Sequence, residues 1–106
     1  MLTRELAINK VSAFARELTA LGLNIKRVIL FGSYAKNQQH EWSDIDVAVV
    51  ADEFIGFGYE DRKFFSKINV KKDYIDIETK TFPPDYFEKG DPFIDEIKKT
   101  GVEIKI

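Results

Sequence analysis

The sequence predicts an α/β or α+β fold, a small β-sheet flanked by helices. Three observations carry this reading. Apolar residues recur at helical spacing near the N-terminus. Short β-branched runs, two with period-two alternation, follow it. The two kinds of segment then alternate along the chain as α-β-α-β-α-β-α-β. The 106 residues are expected to form one domain over 1–106, and a hydrophobic content of 44% is enough for a packed core.

The first segment, Thr3 to Leu21, reads as an amphipathic helix, because Val11, Phe14, Leu18 and Leu21 share one face. Thr3 suits its N-cap, and Gly22 stands where a left-handed residue ends a helix. Lys26 to Phe31 is a β-branched and aromatic run that stops at Gly32-Ser33, as a buried strand entering a turn would. Tyr34 to Gln39 reads as a brief helix. Asp44 to Ala51 is the clearest strand. Asp52 to Gly58 is a loop, and the acid-rich stretch Asp52 to Asp61 is expected on a solvated face. Tyr59 to Val70 reads as a second full helix, and Asp73 to Lys80 alternates as a third strand. Thr81 to Gly90 holds Pro83-Pro84 and reads as irregular. Asp91-Pro92 is an N-cap followed by Pro at the first helical position, opening a last helix that Gly101 closes. Val102 to Ile106 alternates as a terminal strand.

Composition removes several chemistries. Cysteine is absent, which excludes disulfides, a zinc knuckle and a cysteine nucleophile. The lone histidine, His40, excludes a His-paired metal site and reads as a solvated loop residue. Sixteen Lys+Arg against 18 Asp+Glu leave a net charge of -2, so duplex DNA is not an expected partner. No apolar run approaches the roughly 18–20 residues of a membrane span, and the N-terminus lacks a signal peptide's apolar core. A cytoplasmic protein is the expectation.

Asp44 and Asp46 lie two apart in a strand, so their side chains share a face. Close carboxylates repel unless a cation lies between them, and Mg²⁺ prefers such oxygen ligands. A pair of solvated acids on an amphipathic strand remains the alternative. The third strand repeats the device with Asp76 and Glu78. Four acids in two strands oppose strand propensity, which suits a metal site, although Lys71, Lys72 and Lys80 could simply pair with them. Gly32-Ser33 directly follows a buried strand. Such a turn aims backbone N–H groups and a hydroxyl at an anion, and Lys36 adds a positive charge nearby. An ordinary turn with Ser33 as cap is the alternative.

Gly32-Ser33-Tyr34-Ala35-Lys36-Asn37, followed by Ser43-Asp44-Ile45-Asp46-Val47, resembles the signature of the DNA polymerase β-like nucleotidyltransferase superfamily, and in particular its minimal nucleotidyltransferases. Two residues depart from the usual pattern. Asn37 replaces a glycine, and asparagine tolerates the left-handed conformation best among other residues. Lys36 replaces an arginine, keeping the charge but not the bidentate fork. The resemblance implies a small mixed sheet flanked by helices. It also implies two-metal transfer of a nucleotide, AMP from ATP, with Mg²⁺ as cofactor. On that reading Asp44 and Asp46 ligate both ions, and Asp76 completes the site as ligand or general base, with Glu78 as the alternate third acid. Gly32, Ser33 and Lys36 form the nucleotide-binding turn. The implied partner is a small helical HEPN-type toxin, modified on a tyrosine, with a homo-oligomer as a further possibility. The competing function is a binding module of weak catalysis that neutralises a partner by complex formation; small-molecule modification is the third. Trp42 is expected to pack at the site's rim. Phe54, Phe57, Tyr59, Phe64 and Phe65 are expected mainly in the core.

Overall fold

In the computed structural model, which describes residues 2–106, the first helix starts where its cap predicts. The Thr3 hydroxyl accepts from the Leu6 N–H at 3.1 Å, and helix α1 runs Arg4–Ala20. Gly22, at φ +93°, follows its end. Ala7, Val11, Phe14, Ala15 and Leu18 form its buried stripe.

The sheet has four strands: β1 (Ile25–Phe31), β2 (Ile45–Ala51), β3 (Ile77–Phe82) and β4 (Val102–Ile104). Their spatial order is β3-β2-β1-β4. β1 pairs antiparallel with β2 and β4, while β3 runs parallel to β2, so the sheet is mixed. Alternation sends Val28, Leu30, Ile45, Val47, Val49 and Ile77 to the face covered by α1, where Phe14, Phe54, Phe65 and Tyr74 complete the core. Ile29, Phe31, Ala48 and Val50 occupy the other face. They pack under α4 (Pro84–Lys89) and α5 (Pro92–Thr100) through Phe87, Ile94 and Ile97.

Several segments differ from their sequence patterns. Tyr34 to Gln39 is a run of turns rather than a helix. Tyr34 and Ala35 are drawn into the core, and Asn37 takes φ +55°, which a continuing helix cannot accommodate. The stretch read as one helix over Tyr59 to Val70 is broken into α2 (Gly58–Asp61), a 3₁₀ turn (Arg62–Phe64) and α3 (Ser66–Asn69). The break falls at Phe65, with φ −140° and ψ 6°. That backbone sends Phe65 inward, where its ring meets Phe14 and Phe54.

The third strand begins at Ile77 rather than Asp73. Tyr74 turns into the core against Phe14, and the Asn69 amide donates to the carbonyls of Tyr74 and Ile77, holding residues 71–76 in turns. The strand then continues to Phe82, and the Pro83-Pro84 pair that reads as irregular opens α4, with Pro84 at a position where its missing N–H costs nothing. Asp61 is buried, contrary to the solvated face expected of its stretch. Its carboxylate accepts from the N–H groups of Ile55 and Gly56 and from the Thr81 hydroxyl. No helix among the described residues is long and apolar enough to cross a membrane.

Candidate active site

Three strand ends meet at one edge of the sheet. β1 leaves through Gly32-Ser33, β2 enters at Ile45, and β3 enters at Ile77. The antiparallel register sets Phe31 opposite Asp46, so the glycine-serine turn lies beside the acidic strand. Gly32 has φ +75°, and a Cβ there would collide with the Asp46 carboxylate. Glycine is thus required twice at this position, by backbone conformation and by the acid seated against it. The turn is closed by Lys36 N–H to Gly32 O at 3.2 Å and Gln38 N–H to Ser33 O at 2.8 Å, and is anchored by buried Tyr34 and Ala35.

Asp46 is half-buried and pairs in register with Glu78 of the parallel strand. Burial first, then the like charges of Glu78 and Asp44, push its carboxyl above the ordinary carboxylate range, with Lys80 opposing. Asp44 lies exposed just before β2. Asp76 occupies the last turn before β3. Its carbonyl accepts from the Ile45 N–H at 3.0 Å, which stitches it to β2, but its carboxylate is held by Lys10 of α1 at 3.1 and 3.2 Å. Glu78, rather than Asp76, is therefore the acid directly across from Asp46. Lys36 extends to Glu96 of α5 at 3.7 Å.

Asp44, Asp76 and Glu78 line one cleft of about 340 Å³. Its remaining wall includes Arg62, Ser66 and Asn69, none of which the sequence singles out. Lys10 is also new to the site. No local pattern marks these residues, because the 3₁₀ turn, α3 and α1 deliver them from separate parts of the chain. Among the described residues no three carboxylates already surround a single point as a metal cage. The donors are nonetheless all hard carboxylate oxygens, and Asp46 is under pressure from burial and two like charges. Those are conditions that a divalent cation relieves, with water and phosphate oxygens filling its remaining positions. Trp42 does not pack: it is 83% exposed. His40 instead helps close the turn before Asp44, its N–H donating to the Ser43 hydroxyl at 2.9 Å.

Residues 9–104 match the model of the nucleotidyltransferase domain family. A Methanocaldococcus jannaschii protein named "putative protein adenylyltransferase" is 31% identical over 102 residues, covering 92% of this chain and 97% of its own. Among solved structures, a Sulfolobus solfataricus protein described as a "putative nucleotidyltransferase" superposes with TM-score 0.64 at 19% identity, over 94% of this chain and 80% of that one. A toxin–antitoxin crystal structure with AMP-PNP superposes with TM-score 0.63 at 21% identity, over 92% of this chain and 72% of its own. At these identities the two structures establish a shared fold.

Proposed function

The chain belongs to the nucleotidyltransferase domain family, and from that premise we propose that it moves AMP from ATP onto a hydroxyl of a partner protein. It is a nucleotidyltransferase. The proposed acceptor is a tyrosine of a small helical HEPN-type toxin, which the chain silences as an antitoxin. The carrying observation is the seat of Gly32 against Asp46, which joins the turn suited to phosphates to the acidic strand. The relative named as a protein adenylyltransferase supports the choice of AMP and of a protein acceptor. The toxin–antitoxin neighbour supports a partner toxin, and its AMP-PNP supports a nucleotide ligand.

In this reading the N–H groups and hydroxyl of Gly32-Ser33 cradle the β- and γ-phosphates, with Lys36 adding positive charge. Asp44, Asp46 and Asp76 are the residues that would hold Mg²⁺. A bound divalent ion supplies Lewis-acid stabilisation of the charge that develops on the attacking and leaving oxygens. Asp76 accepts the proton of the acceptor hydroxyl, with Lys10 fixing its carboxylate in place; Glu78 is the alternate third acid.

The test combines two measurements. Calorimetry is expected to show ATP binding that requires Mg²⁺. Mass spectrometry of a co-expressed toxin is expected to find AMP on a tyrosine after incubation with Mg²⁺ and ATP. A toxin neutralised without any adduct would make the chain a binding module instead.

A further inference from the structure

Resting on the nucleotidyl-transfer reading above, we infer that the acceptor enters from the β3 side of the sheet and that Arg62 selects acceptors with an acidic residue beside the reacting hydroxyl. The argument begins with in-line displacement. The acceptor oxygen forms a bond to the α-phosphorus while the bond from phosphorus to the bridging oxygen breaks. Pyrophosphate leaves with that electron pair, and the hydroxyl proton passes to Asp76. Attacking and leaving oxygens must therefore lie on opposite sides of the phosphorus.

The strand order turns this requirement into a direction. Gly32-Ser33, which takes the leaving pyrophosphate, ends β1. Asp44 and Asp46 belong to the central β2 end, and Asp76 and Glu78 to the β3 end. With strands about 4.8 Å apart, leaving group and nucleophile are assigned to opposite flanks of β2. The flank opposite Gly32-Ser33 is where the open cleft lies, between Asp76 and Glu78 on one wall and Arg62 and Ser66 on the other.

Among the described residues, Arg62 is the one cation lining a cleft that also holds Asp44, Asp76 and Glu78, acids whose charge the proposed Mg²⁺ would neutralise. Arg62 is exposed and, among the described residues, makes no ion pair. It also lines a second cleft of about 380 Å³ that continues along Thr79 to Phe82. A polypeptide can thus set its hydroxyl against Asp76 while a neighbouring carboxylate reaches Arg62, whose planar fork matches a carboxylate. Exposed Val70 and Ile75 give the first cleft an apolar rim for the stem of the reacting side chain.

The experiment uses the whole chain with Mg²⁺ and labelled ATP. Two tyrosine peptides serve as acceptors, one flanked by glutamates and one by lysines. Mg·ATP binding is measured first by calorimetry. The parent is expected to prefer the glutamate peptide by about tenfold or more in kcat/KM, as for a charge-assisted hydrogen bond. Arg62→Gln is expected to erase the preference with the melting temperature unchanged, and Arg62→Glu to reverse it, each variant being compared at the Mg·ATP saturation that its own calorimetry defines. A preference that survives Arg62→Glu overturns the inference. So does a parent that binds Mg·ATP but labels neither peptide. A parent that does not bind Mg·ATP overturns the nucleotidyl-transfer reading itself, which keeps the two failures distinct.

Discussion

Gly32 couples two motifs that are twelve residues apart in sequence. Alanine there would carry its Cβ into the Asp46 carboxylate and would have to hold φ +75°, a conformation costing about 1–2 kcal/mol for a residue with a Cβ. Gly32→Ala is therefore expected to melt several degrees lower and to bind Mg·ATP more weakly than Ser33→Ala, which loses only a hydroxyl. Calorimetry on both variants checks the order, with about a tenfold loss expected for Ser33→Ala. Asp61 makes a separate case, because its burial is structural. It ties the Ile55–Gly56 loop to β3 through three accepted hydrogen bonds. Removing it leaves three donors to find new partners, so Asp61→Ala is expected to lower stability by roughly 3 kcal/mol in urea unfolding. Gly32-Ser33 and Asp44-x-Asp46 were legible because each motif lies within a few residues. Arg62 and Lys10 were not, because only the folded chain brings Arg62 to the cleft and Lys10 to the Asp76 carboxylate.

Helix α5 shows a cap that can be read from sequence and titrated. The Asp91 carboxylate accepts from the Ile94 N–H at 2.8 Å and from the Tyr86 hydroxyl, and these bonds, the hydroxyl's first, hold its carboxyl below the usual carboxylate range. A depressed carboxyl adds stability that is present above its unfolded value of about 3.9 and is lost as pH falls through the folded one. Asp91→Ala is expected to melt a few degrees below the parent near neutral pH, with the gap narrowing below about pH 4. Thermal melts across pH 3 to 7 check both statements; a gap constant down to pH 3 would show that the charge of Asp91 contributes nothing. Elements bounded by such local signals, α1, β1, β2 and α5, were legible nearly to the residue. The broken helix at Phe65 and the late start of β3 were not. Both follow from Phe65 and Tyr74 turning inward to meet Phe14, a residue some fifty to sixty positions away that no local pattern announces.

At the scale of the whole molecule, the sheet concentrates like charge at one edge, and that separates folding from catalysis. Asp46 carries the cost, raised by burial and by Glu78 and Asp44. Asp44→Asn with Asp46→Asn keeps side-chain size and strand geometry while removing two negative charges. Without a divalent ion the double variant should lose repulsion and melt at or above the parent's temperature. Adding Mg²⁺ and ATP should then stabilise the parent, since a ligand bound only by the folded state raises stability by mass action, and should leave the variant unmoved. Neutral amides hold a hard divalent ion far less well than carboxylates, so no labelled nucleotide should reach the partner. Asparagine keeps the size of both side chains, so the complex with the proposed partner should still form in size-exclusion chromatography. Four outcomes are thus tied to one substitution: metal-free stability kept or raised, Mg·ATP stabilisation lost, transfer lost and partner binding kept. A variant that neutralises the proposed toxin as well as the parent would show that neutralisation comes from complex formation and not from transfer, and the binding-module reading would win.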